Sequence, residues 1–360
     1  MTTLESLGWS SFFAQQIDPA MDRNRAAMRV VEEQRGSYRL LGESGRWYAE
    51  LAGRLRHEAE KPGAPLPCTG DWVLAEAPPG GAATGTALIH RVLARRSKFS
   101  RKEAGPRSVE QVIAANVDTV FLVQSLNRDL NPRRIERYLA LLWESGAEPV
   151  VVLSKADLCA DPAPLVAEVE LAAPGVPVHV TSALAPDGLA VLAPHLAPGK
   201  TVALVGSSGV GKSTIVNRLL GHDLQRVADL RADGRGRHTT TARELVVLPG
   251  GAMLLDTPGM RTILMWEGEA GLAQAFADVE ELAQACRFRD CAHEAEPGCA
   301  VRAALAAGEL DPDRFLSYEK LRREIRHQAR KSDVRLRIAE QQRWRRIHLE
   351  ARRRVDKRRA

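Results

Sequence analysis

The stretch "TVALVGSSGVGKST", residues 201–214, places an apolar segment directly before a glycine-rich loop and the start of a helix. Residues 206–213 match the pattern G-x-x-x-x-G-K-[ST], and a preceding strand with a following helix is the context in which this pattern binds phosphate. Its glycines let backbone N–H groups curl around phosphate oxygens, and the helix N-terminus adds partial positive charge. The stretch therefore predicts a nucleotide phosphate site.

Each part of this loop has an expected role. We expect the Lys212 side chain to reach the β- and γ-phosphates and the Ser213 hydroxyl to bind Mg²⁺. A second apolar stretch, "MLLDTPG" (253–259), ends in Asp256, which is placed to hold Mg²⁺ through water, and in Gly259, whose N–H can meet the γ-phosphate. An ordinary aspartate at a turn is the alternative for Asp256. The predicted phosphate-binding residues are Gly206, Ser207, Ser208, Gly209, Val210, Gly211, Lys212, Ser213, Thr214 and Gly259.

A candidate base-binding loop precedes the phosphate loop in the chain. "SKAD" (154–157) follows the apolar stretch "PVVVL" and resembles the guanine-recognising pattern NKxD, with Ser in place of Asn. An aspartate carboxylate accepts hydrogen bonds from guanine N1–H and its amino group, whereas adenine offers no such pair of donors. A serine is shorter than an asparagine, which leaves open whether residue 154 contacts the phosphate loop. The predicted guanine site contains Ser154, Lys155, Ala156 and Asp157, with Ser182 and Ala183 from "TSA" (181–183) after the next strand.

The order of these two loops is the reverse of that in ordinary GTPases. A doubly wound sheet binds ligands at the carboxyl ends of its strands whatever the chain order. Joining the original termini and cutting the chain elsewhere therefore preserves the pocket. Strands alternating with helices over 108–265 predict such a circularly permuted domain, in which "DTPG" leads directly into the next domain.

The residues expected to act on water are unusual. Met260 follows "DTPG", and its thioether cannot orient or activate water. The glycine-rich basic segment "GRGRHTTT" (234–241) is typical of a switch loop, in which Thr240, or its neighbour Thr239, would cap Mg²⁺. His238 is the candidate catalytic residue, and a surface histidine without a role is the alternative. These features predict slow intrinsic hydrolysis that a partner accelerates.

Four candidate metal ligands lie in the segment "CRFRDCAHEAEPGC" (286–299). Cys286, Cys291, His293 and Cys299 form a Cys₃His set, which suits tetrahedral Zn²⁺ and leaves no position for a catalytic water. We therefore predict one structural zinc per chain, with free buried cysteines as the alternative. Cys68 and Cys159 are expected to be ordinary thiols. This cysteine usage favours a reducing compartment, the cytoplasm.

The flanking regions predict two further parts. Short β-like segments with Gly or Pro between them over 25–107 indicate a small barrel of the OB type, with a purely structural β domain as the alternative. A basic loop or linker is expected at 95–108, one helix at 270–288, and one or two basic helices from about 312. The predicted division is 1–107 with the barrel, 108–265 for the GTPase domain, 266–330 for a helical zinc domain and 331–360 as a basic extension.

Charge is concentrated at both ends of the chain. Residues 318–360 contain 17 Lys and Arg against 6 Asp and Glu, and residues 21–107 contain 16 against 10, although the whole chain carries only +6. Two basic flanks indicate two contacts with a polyanion, and RNA is favoured because no DNA-binding motif is present. The sequence shows neither a long apolar span nor a basic leader, so no role for a membrane is expected.

These motifs together resemble the RsgA family of bacterial circularly permuted GTPases. The resemblance rests on the segments already quoted and on "FSRK" (99–102), "VIAANVDTVFLV" (112–123) and "DTPGMR" (256–261). It implies an OB-fold domain, a permuted GTPase domain and a zinc domain. It also implies binding of GTP, GDP and Mg²⁺, and a monomer acting on the 30S subunit and its 16S rRNA late in maturation. Hydrolysis would be stimulated by the subunit and coupled to release of assembly factors such as RbfA.

The sequence disfavours two alternatives to this family. A permuted GTPase of large-subunit assembly is disfavoured by the barrel before "VIAANVD" and by the cysteine cluster after "DTPG". An RNA-binding protein with a vestigial nucleotide site is disfavoured because Lys212, Ser213 and Asp256 are all present.

Overall fold

The computed structural model of the chain describes residues 2–34, 36–59, 66–78, 85–102, 110–127, 130–221, 243–256 and 269–332. Its strands are β1 (Ala26–Gln34), β2 (Ser37–Gly42), β3 (Gly45–Leu51), β4 (Trp72–Glu76), β5 (Ala87–Val92), β6 (Lys98–Lys102), β7 (Glu110–Ala115), β8 (Thr119–Ser125), β9 (Glu148–Ser154), β10 (Val178–Val180), β11 (Thr201–Val205), β12 (Arg243–Val247) and β13 (Met253–Asp256). Its α-helices are α1 (Ser11–Ala14), α2 (Gly53–Ala59), α3 (Pro132–Ser145), α4 (Ala163–Ala172), α5 (Lys212–Leu219), α6 (Glu269–Ala275), α7 (Ala277–Gln284), α8 (Ala300–Ala307) and α9 (Pro312–Ser332). None of these helices combines the length and apolar character that crossing a bilayer requires.

The predicted doubly wound sheet is confirmed. Its strand order is β10-β9-β8-β11-β13-β12, with parallel pairing throughout except between β13 and β12. Every residue of β8 is buried, as expected of a central parallel strand covered on both faces. Ile135 of α3 and Val169 of α4 belong to the core on one face, and Ile215 of α5 to the core on the other. The carboxyl ends of β8, β9 and β11 therefore meet at one edge.

The OB-type barrel is also confirmed. Strands pair in the order β1-β2-β3-β5-β4, and pairing of β1 with β4 closes the ring. In β3 the side chains alternate between buried and exposed, which places Trp47 inside and Tyr48 outside. The far end of β1 pairs with β12 through Glu32 and Glu33, so the barrel and the doubly wound sheet form one continuous sheet. This junction was not predicted.

The expected loop or linker at 95–108 is partly wrong. Lys98–Lys102 forms β6, which pairs with β7 in a separate two-stranded antiparallel sheet. Phe99 is 1% exposed within this hairpin, and Lys98 and Ser100 both contact Glu110 across it. Burial of Phe99 and cross-strand pairing outweigh the polar composition that predicted a loop.

The single helix expected over 270–288 is also wrong. Two helices, α6 and α7, meet at Phe276, whose backbone leaves the helical region at φ −122° and ψ 41°. The Phe276 ring is buried and contacts Tyr318 and the Arg314 guanidinium of α9. Tertiary packing of this ring therefore overrides the helical preference of the local sequence.

The C-terminal helices pack against α3, which covers one face of the doubly wound sheet. At Gly271 of α6 an added Cβ would lie 2.1 Å from the Ala140 carbonyl oxygen, so only glycine permits this crossing. Arg314 of α9 is buried and donates to Glu136 of α3 at 3.1 Å and to Asp278 of α7 at 2.7 Å. These contacts connect the helix beside the phosphate loop to the region that carries the cysteine cluster.

A buried arginine connects the barrel to the strand that feeds the phosphate loop. Arg29 of β1 donates to the carbonyl oxygens of Leu7 and Asn116 and, over 2.8 Å, to the Thr201 hydroxyl of β11. Burial lowers the pKa of Arg29 to about 10, so the guanidinium is charged at neutral pH. Its three oxygen partners compensate the loss of water around this charge.

Candidate nucleotide-binding and metal-binding sites

The predicted phosphate loop connects β11 to α5 with a backbone that requires glycine. Gly206 has a φ of +144°, and an added Cβ would lie 2.2 Å from the Val123 carbonyl oxygen. Gly211, directly before α5, has a φ of +96°. Side chains are disfavoured at both positions, so the loop folds close to β8 and presents its backbone at the start of α5.

Lys212 lies over this loop. Its Nζ donates to the Gly206 carbonyl oxygen at 2.7 Å and to that of Ser207. Carbonyl oxygens are neutral acceptors, and phosphate oxygens are stronger acceptors for an ammonium group. Ser213 follows in the first turn of α5, as the prediction of a Mg²⁺-binding hydroxyl requires. β13 runs parallel to β11 and ends at Asp256, of which the structure describes the backbone and not the side chain.

The predicted guanine loop contacts the phosphate loop directly. Ser154 ends β9, and its Oγ donates to the Val210 carbonyl oxygen at 2.5 Å, with the Gln124 carbonyl oxygen 3.1 Å away. An added Cβ at Gly211 would lie 3.6 Å from the same hydroxyl. The shorter serine therefore still makes the contact whose existence the sequence left open.

The two parts of the predicted base site contact each other as well. Ser182 Oγ donates to Asp157 Oδ1 at 2.6 Å, and the Ala156 N–H donates to the Thr181 carbonyl oxygen at 3.1 Å. Lys155 adopts a left-handed conformation at φ 60°, uncommon for a residue with a side chain. Asp157 is exposed, so its carboxylate is held in place by Ser182 and remains accessible to a ligand.

The four predicted metal ligands form a compact cluster. Their ligand atoms all lie within 4.8 Å of one another. Cys286 Sγ lies 3.8 Å from Cys299 Sγ, and His293 Nδ1 lies 3.7 Å from Cys286 Sγ and 3.4 Å from Cys299 Sγ. Two sulfurs at about 2.3 Å from a tetrahedral zinc would be separated by about 3.8 Å, so the donor set fits zinc.

The backbone conformation and the thiol pKa at the cluster also support a bound metal ion. His293 has a φ of 63°, a strained value that aims its ring at the sulfurs. Cys299 caps α8, where its sulfur accepts the Arg302 N–H. Burial and the neighbouring thiols Cys299 and Cys286 raise the pKa of Cys291 to about 11. Thiolates packed this closely repel one another, so a bound cation is needed to keep all three ionised.

Comparison with known proteins identifies the family. A family model described as RsgA GTPase matches residues 92–266. A "Small ribosomal subunit biogenesis GTPase RsgA" of Opitutus terrae is 50% identical over 353 residues, covering 96% of each chain. The chain belongs to the RsgA family of GTPases. A relative of the same name from Syntrophotalea carbinolica is 44% identical and covers 96% of this chain and 98% of its own.

Solved structures agree with this RsgA assignment. YjeQ from Thermotoga maritima superimposes with a TM-score of 0.63 at 28% identity, covering 84% of this chain and 98% of YjeQ. YloQ, described as a circularly permuted GTPase, gives a TM-score of 0.60 at 26% identity, covering 84% of this chain and 96% of YloQ. The chain is thus a GTP-hydrolysing enzyme, and the predicted circular permutation is confirmed.

The structure thus brings the predicted phosphate loop and the predicted guanine loop together at one sheet edge and assembles the predicted Cys₃His cluster. The predictions for His238, Thr240, its neighbour Thr239, Gly259 and Met260 fall outside the described residues. The contact of Arg134 of α3, whose Nη1 donates to the Ser207 hydroxyl at 3.2 Å, was not predicted from the sequence. A sequence signal for this contact was present: a basic residue in the first turn of the helix after β8. That turn lies at the carboxyl edge of the sheet, where the phosphate loop was expected.

Proposed function

We propose that this RsgA-family GTPase assists late maturation of the 30S ribosomal subunit. It hydrolyses GTP slowly alone and faster on the subunit, and hydrolysis is coupled to release of assembly factors such as RbfA. The relatives from Opitutus terrae and Syntrophotalea carbinolica carry a name that states a role in small-subunit biogenesis, and each matches over nearly its full length. The basic barrel and tail supply charge for contact with 16S rRNA.

The observation that carries the nucleotide assignment is the hydrogen bond from Ser154 to the Val210 carbonyl oxygen. It places the base loop against the phosphate loop, so one ligand can occupy both. We assign guanine recognition to Asp157, oriented by Ser182 and flanked by Lys155, Ala156 and Ala183. The phosphates are assigned to residues 206–214 and Gly259, with Lys212 moving from the loop carbonyls to phosphate oxygens.

Magnesium is assigned to Ser213 in the first turn of α5, to Asp256 at the end of β13, and to Thr240. When bound, Mg²⁺ neutralises charge on the β- and γ-phosphates. Water orientation is assigned to His238, because Met260 offers no hydrogen-bonding group suited to that role. Docking on the subunit would supply a productive arrangement of "GRGRHTTT" and so accelerate hydrolysis.

The barrel offers a surface suited to RNA. Tyr48 is 63% exposed on the outer face, and the Arg39 guanidinium lies 5.5 Å from its ring centre. An exposed aromatic ring with an arginine beside it can stack on an unpaired base and contact its phosphate. The tail beyond 330 adds twelve Lys and Arg side chains as the second contact. We therefore propose that barrel and tail together bind the small subunit.

The cysteine cluster is proposed to hold one structural zinc through Cys286, Cys291, His293 and Cys299. A metal there would fix the segment between α7 and α8, and the buried contacts of Arg314 would transmit its position to α3.

We also propose that the chain divides into four regions, with boundaries after residues 107, 265 and 330. A monomeric state and a cytoplasmic location are also proposed. GTP turnover with and without purified small subunits tests the proposed function.

A further inference from the structure

The first turn of α3 contacts the phosphate loop. Arg134 is the third residue of this helix, and its backbone N–H is capped by the Asn131 side chain at 3.1 Å. Its Nη1 donates to the hydroxyl of Ser207, the second residue of the phosphate loop, at 3.2 Å. The cap fixes the start of the helix, and the helix fixes the position from which the guanidinium reaches the loop.

Arg134 differs from its basic neighbours in its partners. Arg133 pairs with Glu136 and Asp311, each at 2.6 Å, and Arg137 pairs with Glu324 at 2.6 Å. Within the part of the chain that the structure describes, no carboxylate lies within ion-pair distance of Arg134, which meets the neutral Ser207 hydroxyl instead. Arg134 is half-buried, so water compensates its charge only in part. The surroundings of the Arg134 guanidinium therefore favour binding of an anion.

Ser207 brings a second cation to the same place. Lys212 Nζ donates to the Ser207 carbonyl oxygen, while Arg134 donates to the Ser207 hydroxyl. Two cationic side chains from two different helices therefore converge on one loop residue. A guanidinium carries five donors in a planar fork, so Arg134 can keep the Ser207 contact and still bind a phosphate oxygen.

We propose that Arg134 binds the γ-phosphate of GTP and stabilises the charge that develops there during hydrolysis. This role deepens the GTPase assignment and rests on the phosphate site proposed above. The γ-phosphate is favoured because Ser207 lies in the N-terminal half of the loop, whereas a diphosphate is held by the N–H groups at the start of α5. In the reaction, water oxygen bonds to the γ-phosphorus and the bond to the β–γ bridging oxygen breaks. The electron pair stays on GDP, and the water proton ends on the released phosphate. Arg134 acts electrostatically and exchanges no proton.

The test compares Arg134→Ala, Arg134→Lys and Arg134→Gln with the matched control Arg137→Ala. Arg137 lies on the same helix, is paired with Glu324 and, among the residues that the structure describes, makes no hydrogen bond to the loop. Single-turnover GTP hydrolysis and GDP affinity are measured without ribosomal subunits, together with thermal unfolding. We expect Arg134→Ala and Arg134→Gln to slow hydrolysis at least about tenfold, since one lost transition-state donor commonly costs more than that. GDP affinity should change less than about twofold, and added guanidinium should partly restore the Ala variant.

The following results would overturn the role proposed for Arg134. Hydrolysis by both neutral variants within twofold of Arg137→Ala would overturn the proposal, as would equal losses in GDP affinity and hydrolysis, which indicate a structural role. If Arg134→Ala does not fold, Arg134→Lys and Arg134→Gln decide, because a lysine should retain more activity than a glutamine. A wild-type chain that does not hydrolyse GTP would overturn both this role and the GTPase assignment. The assay contains no ribosomal subunits, so failure of the proposed 30S role leaves its result unaffected.

Discussion

Ser154 Oγ donates a 2.5 Å hydrogen bond to the carbonyl oxygen of Val210. The two residues belong to β9 and to the loop after β11, and β8 lies between these strands. The Gln124 carbonyl oxygen of β8 is 3.1 Å from the same hydroxyl, which has one proton and therefore donates to one carbonyl at a time. A single side chain thus connects the base loop, the intervening strand and the phosphate loop in a chain whose loops occur in reversed order.

Replacing Asp157 with Asn tests guanine recognition. An Asn side chain can still accept the Ser182 hydrogen bond but offers one acceptor oxygen and an amide donor. GTP affinity should fall at least about tenfold, roughly 1.4 kcal/mol, and xanthosine triphosphate binding should rise, because xanthine presents a carbonyl in place of the amino group. Nucleotide titrations measure both. The control is Asp161→Asn, which changes an exposed aspartate whose carboxylate accepts the Ala163 N–H at the start of α4. Unchanged GTP affinity in Asp157→Asn would show that the base site is misassigned.

Zinc content tests the cysteine cluster. Protein purified without added metal should contain about one zinc per chain, and Cys291→Ser should lose it together with thermal stability, because zinc binding contributes to folding of such sites. Cys159→Ser, outside the cluster, should keep the metal. Elemental analysis of the purified variants measures the ratio. A Cys291→Ser variant with full zinc and full stability would rule out the Cys₃His assignment.

Arg314→Met should destabilise the packing of the C-terminal helices on α3. The Glu136 carboxylate is fully buried, and loss of Arg314 would leave it with Arg133 as its ion-pair partner among the described residues. Removing one member of a buried charge pair commonly costs about 3–5 kcal/mol. Arg323→Met removes an exposed arginine from the same helix, and its pair with Glu319 should contribute less than about 1 kcal/mol. Urea unfolding compares the two variants, and equal midpoints would contradict the role given to Arg314.

Local sequence signals predicted the elements that form the candidate nucleotide site. The apolar runs of β8, β9 and β11, the glycines of the phosphate loop and the Cys₃His spacing each depend on residues close together in the chain. The doubly wound sheet follows from alternation of such runs with helices, and the order of the loops indicates the permutation.

Contacts between distant residues were not predictable in this way. The pairing of Glu32 with Glu244 and the hydrogen bond from Arg29 to Thr201 depend on how the barrel and the doubly wound sheet meet. The break between α6 and α7 at Phe276 depends on packing of the Phe276 ring against Tyr318 and Arg314 of α9. Arg134 was missed because the sequence shows three arginines near the start of α3, and only the structure shows that two of them are neutralised by carboxylates.

Deleting 331–360 should change how salt affects binding to the small subunit. The deletion removes twelve Lys and Arg side chains, so fewer counterions would be released on binding. Plots of log affinity against log salt concentration should become less steep, while GTP turnover without subunits should be unchanged. A chain with the tail intact and Arg39→Ala in the barrel provides a comparison, since one lost phosphate contact should reduce the slope by only about one. An unchanged slope after the deletion would remove the tail from the proposed interface.

Turnover of GTP with and without purified small ribosomal subunits tests the central claim most directly. The RsgA-family chain should hydrolyse GTP slowly alone, and purified small subunits should accelerate it strongly, whereas large subunits should not. Lys212→Ala should abolish both rates because the charge that holds the β- and γ-phosphates is lost. His238→Ala should reduce the accelerated rate far more than GTP affinity. Equal rates with and without small subunits would contradict the account.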